Sequence, residues 1–156
     1  MLSQILKNLG MPMESRGLAF CALLLIASLY VVGVVSHGML RHIVQTVPVW
    51  VAVVLGMRRS VWSKWAALPR FIVWLFLMSL IWLFLLGWAR VISGTFSPIE
   101  IAMTLVVGAC AVIGIVLALR MNTGVRPLGA SAVFFGMLLL QILALRISFL
   151  PGIAHD

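Results

Sequence analysis

Acidic side chains are nearly missing from this chain. Glu14, Glu100 and Asp156 are the only three in 156 residues, and all charged residues together make up 9% of the sequence. A soluble domain carries roughly 25% charged residues, so a water-exposed globule is excluded for want of polar surface to cover it. The shortage also leaves no two carboxylates close in sequence for paired acid–base work. Ion-coupled transporters bury acidic groups in mid-membrane, and no apolar run here holds one at its centre. Cysteine is scarce too. Cys21 and Cys110 lie apart inside apolar runs, with no Cys or His partner at metal-ligand spacing, and read as small packing residues. No Gly-rich phosphate loop, His-Glu-x-x-His or Gly-x-Ser-x-Gly occurs. The expectation is therefore a protein that is not an enzyme, with no catalytic residue, no metal and no cofactor.

What is abundant is hydrocarbon. Sixty-four per cent of the residues are hydrophobic, and they come in runs. About 20 consecutive apolar residues span the hydrocarbon core of a bilayer as a helix. Five such runs are present, about 17–36, 40–57, 69–92, 98–119 and 128–150. They define an all-α integral membrane protein, a five-transmembrane-helix bundle forming a single transmembrane domain over 1–156. Ahead of the first run, Leu2, Ile5, Leu6 and Leu9 share one helical face. Residues 1–12 are thus a candidate amphipathic helix lying in the headgroup layer. The run from Gly17 is too long for the apolar part of a signal peptide, so cleavage is not expected.

The net charge of +8 does not signify nucleic acid. Nucleic-acid binders cluster basic residues on a water-facing surface, whereas here they punctuate the apolar runs. Lys and Arg mark cytoplasmic ends of membrane spans, and Trp marks the headgroup level. The stretch from Arg58 through Trp62, Lys64 and Trp65 to a turn at Pro69-Arg70, followed by the third apolar run, fixes one crossing and its direction. With the N-terminus cytoplasmic, inside segments hold Lys7, Arg16, Arg58, Arg59, Lys64, Arg70, Arg120 and Arg126. Outside segments hold Arg41, Arg90 and Arg146. This bias predicts an N-terminus in the cytoplasm and a C-terminus outside. A four-span alternative, with 40–57 re-entrant because of Pro48 and its polar start, would put the basic stretch from Arg58 to Arg70 outside.

Several local signals can be read. Ser97-Pro98-Ile99-Glu100 has the pattern of a capping box. Gly108, Ala111, Gly114 and Ala118, three or four apart, predict a smooth stripe for close helix contact. His37 and His42 are five apart, about 140° around a helix, and cannot both face one ion from a continuous helix. Trp74 and Trp82, eight apart, are expected on nearly one face of the third span, where they line a neighbour or hold a flat ligand.

One region offers a function. Under the five-span topology Arg41, His42, Gln45, Arg90, Glu100, Gln141 and Arg146 all fall in the outer half of the bundle. They are expected either to snorkel separately to the headgroups or to converge on an outward-facing polar cavity. In the second case Glu100 pairs with Arg41 or Arg146, leaving positive charge for an anionic group. The functional expectation is an accessory or scaffold subunit packing with other membrane proteins. Alternatives are an oligomeric translocator of a small solute, lipid or ion, and a single-His haem or quinone site. The expected surroundings are the lipid bilayer of a bacterial inner membrane, with a membrane-protein partner or a second copy, and no nucleic acid.

Overall fold

A computed structural model describes the backbone of residues 2–88 and 95–154 and the side chains of 13–88 and 95–153. Arg90, His155 and Asp156 lie outside the described residues. The described chain is all helical: α1 (Leu2–Val35), α2 (Met39–Met57), α3 (Ser63–Leu85), α4 (Pro98–Arg120), α5 (Pro127–Ser148) and a single turn, α6 (Pro151–Ala154). Five stretches are long and apolar enough to cross a membrane: Met13–Val35, Met39–Met57, Ser63–Leu85, Pro98–Arg120 and Pro127–Ser148. At 1.5 Å per residue, 19–23 residues reach about 29–35 Å, close to the thickness of a hydrocarbon core. The amphipathic stretch expected over 1–12 belongs to α1 from Leu2 onward.

The connections are short because the helix ends close themselves. At the end of α1, Gly38 N donates to Gly33 O (2.9 Å) and His37 N to Val34 O. This is a Schellman ending with His37 in the left-handed position, φ 54°. Arg59 (φ 53°) ends α2 in the same way, and Gly87 (φ 76°) ends α3. Glycine adopts this conformation freely, whereas His and Arg are strained in it. His37 is thus a turn residue with an exposed side chain.

α3 departs from the expected boundaries of 69–92. It starts at Ser63 and ends at Leu85. Pro69 and Arg70 form no turn but lie inside the helix, in its second turn. Proline there removes one backbone hydrogen bond yet does not stop a helix held on both sides by neighbours. The far end comes early because Gly87 reverses the chain before the apolar run is finished. α2 likewise continues unbroken through Pro48.

α1 is the central post. It packs most extensively on α2 and α4, while α5 leans on α2 and α3 from outside. In lipid, helices associate through close packing rather than hydrophobic exclusion, so small residues set the approach. A Cβ on Gly56 would lie 2.8 Å from Ser15 O and 2.9 Å from the Ala19 side chain. A Cβ on Gly114 would strike the Phe71 ring at 2.5 Å. The expected stripe on α4 therefore holds for Ala111, Gly114 and Ala118, all buried. Gly108 departs from it, with nothing within 4 Å of a Cβ there. Rotation accounts for this: 108 lies about 120° from 114, whereas 114 and 118 differ by about 40°.

Candidate functional site: a cavity at one end of the bundle

The antiparallel course gives the bundle two ends. At one, Ser15 Oγ donates to Gly56 O (2.9 Å) and lies 3.2 Å from Ser63 Oγ, both serines being buried. Lys64 Nζ donates to Met121 O (2.8 Å) and sits over the Trp65 ring, whose Nε1 donates to Thr123 Oγ1. This end is closed by matched donors and acceptors.

At the other end the helices part around a cavity of about 630 Å³. Arg41, His42 and Gln45 come to it from α2, and Glu100 and Thr104 from α4. Phe96 and Phe149 stand beside the mouth. Trp74, eleven residues back from the end of α3 and so about 16 Å deep, lines the far wall with Leu29 and Val107. The upper wall is thus polar and charged, and the lower wall apolar apart from the Trp74 N–H.

The local sequence explains each placement. Arg41 and Gln45 are one helical turn apart and share a face, with His42 beside them, its ring against Gly33 of α1. The guanidinium of Arg41 lies 5.9 Å from the centroid of the Phe149 ring, a cation–π distance. Ser97 Oγ accepts from Glu100 N (3.2 Å), and Glu100 Oε2 accepts from Ser97 N (2.7 Å), forming the expected capping box. Capping engages one carboxylate oxygen of Glu100. Behind the cavity, Gln141 Nε2 donates to Gln45 O (3.1 Å), and Gln45 Nε2 donates to Ser148 Oγ (3.0 Å). This clamp fastens α5 to α2, which explains why a fully buried Gln is tolerated at mid-depth.

Of the seven expected residues, Arg41, His42, Gln45 and Glu100 line one cavity, and Gln141 supports it. Arg146 does not join them; it is exposed and outside the cavity lining. Five residues separate it from Gln141, about 140° of rotation, so one faces in and the other out. Arg90 lies outside the described residues. Trp74 and Trp82 also part company: Trp74 is buried at the cavity, whereas Trp82 lines an apolar groove between α3 and α4. Eight residues leave them about 80° apart. Trp74 and Thr104 are additions to the site. The 3.6-residue repeat places Trp74 in line with Met78 and Ile81, and this alignment was the available signal.

Among the described residues, seven buried side-chain atoms have no hydrogen-bond partner. Four belong to cavity-lining residues: Arg41 Nε, His42 Nδ1 and Nε2, and Trp74 Nε1. A fifth is Gln141 Oε1, immediately behind. An unmatched polar atom in an apolar interior costs about 1–3 kcal/mol, and natural structures keep few without a reason. No group of three His, Cys, Asp or Glu side chains that could hold a metal ion occurs among the described residues.

Arg70 is a separate case, missed as an interior residue because it follows a proline. It is buried to 1% exposure. It donates to Ala66 O in its own helix and to Met137 Sδ of α5, and among the described residues its Nε has no partner. Comparison with protein-family models, curated proteins and solved structures finds no match to this chain.

Proposed function

We propose that this chain is a non-enzymatic integral membrane protein of the bacterial inner membrane, N-terminus inside and C-terminus outside. Its role is to hold an amphipathic molecule bearing an anionic group in the cavity at its outer end. The orientation is supported by charge. With Arg70 withdrawn into the bundle, Lys7, Arg16, Arg58, Arg59, Lys64, Arg120 and Arg126 still belong to the cytoplasmic side, against Arg41, Arg90 and Arg146 outside. The short connections leave no room for a folded domain between one span and the next. The matched, closed Lys64 end favours holding over passage through a single copy.

The observation that carries the proposal is the gathering of unpartnered Arg41, His42 and Trp74 atoms around one cavity. A polar upper wall and an apolar lower wall suit an amphipath lying along the bundle with its charged end at the membrane surface. Ligand sites have this mixed character, mostly apolar with a few placed polar groups.

A second reading, an accessory subunit packing with other membrane proteins or with a second copy, is favoured by α5. Only 11% of its apolar span is buried, and a Cβ at Gly136 meets nothing within 4 Å. A neighbouring subunit would find an unobstructed face there.

Purification in mild detergent, followed by mass spectrometry of extracted small molecules, tests both. The cavity proposal expects a stoichiometric amphipath in the wild type and in Arg126→Ala, but not in Arg41→Ala. No bound molecule, or equal amounts in all three, contradicts it. A protein partner co-purifying with all three variants and no small molecule supports the accessory role instead.

A further inference from the structure

The cavity presents both signs of charge. Arg41 comes from α2, and its guanidinium Nε has no partner among the described residues. Glu100 comes from the first turn of α4, across the same cavity. Among the described residues only its Oε2 is engaged, by Ser97 N, and an ionised carboxylate has about four acceptor sites. An anion alone would satisfy Arg41 but would face Glu100. A cation alone would do the reverse. A group carrying a phosphate and an ammonium side by side satisfies both.

The lower walls define the rest of the molecule. Below the charged level the cavity is lined by Leu77, Met78, Ile81 and Val107. Met78 and Thr104 also border the apolar groove between α3 and α4, which runs past Gly108. The two spaces thus meet at shared residues. The open surface at Gly108, with nothing within 4 Å of a Cβ, keeps that groove deep on its α4 side. A hydrocarbon chain whose headgroup sits in the cavity reaches the groove past Met78 and Thr104, both of them buried at the seam between the two spaces.

We infer that the cavity and the α3–α4 groove together form a site for a zwitterionic phospholipid whose headgroup carries a primary ammonium. The phosphodiester lies at Arg41, the ammonium at Glu100, and an acyl chain follows the groove past Gly108. A primary ammonium is specified because it donates hydrogen bonds to a carboxylate, whereas a quaternary ammonium has no N–H to give. The inference rests on the amphipath-holding role proposed above and names its ligand class.

Native mass spectrometry of the full chain, titrated with phosphatidylethanolamine, phosphatidylglycerol and phosphatidylcholine of identical chains, tests it. The wild type is expected to bind the ethanolamine lipid about 10-fold more tightly than either other lipid, the scale of one charge-assisted hydrogen bond. Glu100→Gln keeps a capping side chain and is expected to abolish that preference while retaining phosphatidylglycerol binding. Arg41→Ala, with Arg41→Gln as a second variant should the first fail to fold, weakens all three lipids. Glycerophosphoethanolamine, the same headgroup without chains, is expected to compete poorly; competition equal to the lipid's assigns the site to a soluble phosphate ester and overturns the lipid assignment. Phosphatidylglycerol or phosphatidylcholine binding as tightly as the ethanolamine lipid, with Arg41 still required, overturns the pairing of a primary ammonium with Glu100 and leaves the cavity role standing. Lipid binding indifferent to Arg41 overturns both.

Discussion

The two ends of the bundle contain polar residues in similar company but in different states. At the Lys64 end, Ser15, Ser63, Lys64 and Trp65 have partners on neighbouring elements. At the Arg41 end, Arg41, His42 and Trp74 each keep a buried polar atom without one among the described residues. Matched polar groups fix helices relative to one another. Unmatched ones cost stability, and a fold carries that cost where something other than the fold can meet it. The closed end is read as structure and the open end as function, and substitutions at the two should separate accordingly.

The largest expected effect is on the packing that brings α1 and α2 together at the closed end. Gly56→Leu places carbon against Ser15 O, a backbone atom that cannot swing away, and is expected to lower stability by about 3 kcal/mol or more. Gly114→Leu, which meets the movable Phe71 ring, should cost somewhat less. Gly108→Leu should be near neutral in stability while blocking the groove. Thermal unfolding in detergent ranks the three; a Gly108→Leu as damaging as Gly56→Leu would place an unseen neighbour on that groove.

Arg70→Met is expected to act in the opposite direction. A charge buried without a carboxylate costs several kcal/mol in desolvation, and replacing it by an apolar side chain of similar length removes that cost. The gain should be about 1–3 kcal/mol, measured in the same unfolding assay. A loss of stability would mean that the bonds to Ala66 O and Met137 Sδ outweigh the desolvation.

At the cavity, Trp74→Phe removes an unpartnered N–H together with the pyrrole ring that carries it. Its expected effect on stability is within about 1 kcal/mol, with any change in ligand retention exceeding that seen for Trp65→Phe at the closed end. A Trp74→Phe that is markedly destabilised would assign Trp74 a structural bond. The smallest effect is at the turns. His37→Gly and Arg59→Gly relieve left-handed strain and should each add about 1 kcal/mol; no gain would show that the side chains offset the strain through other contacts.

Much of the fold was legible because membrane helices announce themselves by length. The five apolar runs and the Ser97–Glu100 cap needed only local sequence. The boundaries of α3 did not follow, because Pro69 signals a helix start in water and is tolerated inside a helix packed among neighbours. Arg70 inherited that misplacement and was counted as a loop charge. The cavity was legible in part. Arg41, His42, Gln45 and Glu100 sit near helix ends that the topology brings to one side. Gln141 and Arg146 were grouped by depth alone, although their five-residue spacing already places them on different faces. Trp74 was read together with Trp82 as a face for a neighbour or a flat ligand; its alignment with Met78 and Ile81 marked its side of α3, but the walls opposite it come from α2 and α4, which its own segment does not encode.

The contrast between the ends can be measured directly by cysteine accessibility in intact cells. In a background with Cys21→Ala and Cys110→Ala, Thr104→Cys lies on the cavity wall and Ser63→Cys in the closed end. A small, membrane-impermeant thiol reagent added outside is expected to modify Thr104→Cys and to leave Ser63→Cys untouched, with Arg41→Trp, which fills the mouth, slowing the first reaction. Modification of Ser63→Cys from outside, with Thr104→Cys protected, would contradict an outward-facing cavity at the Arg41 end.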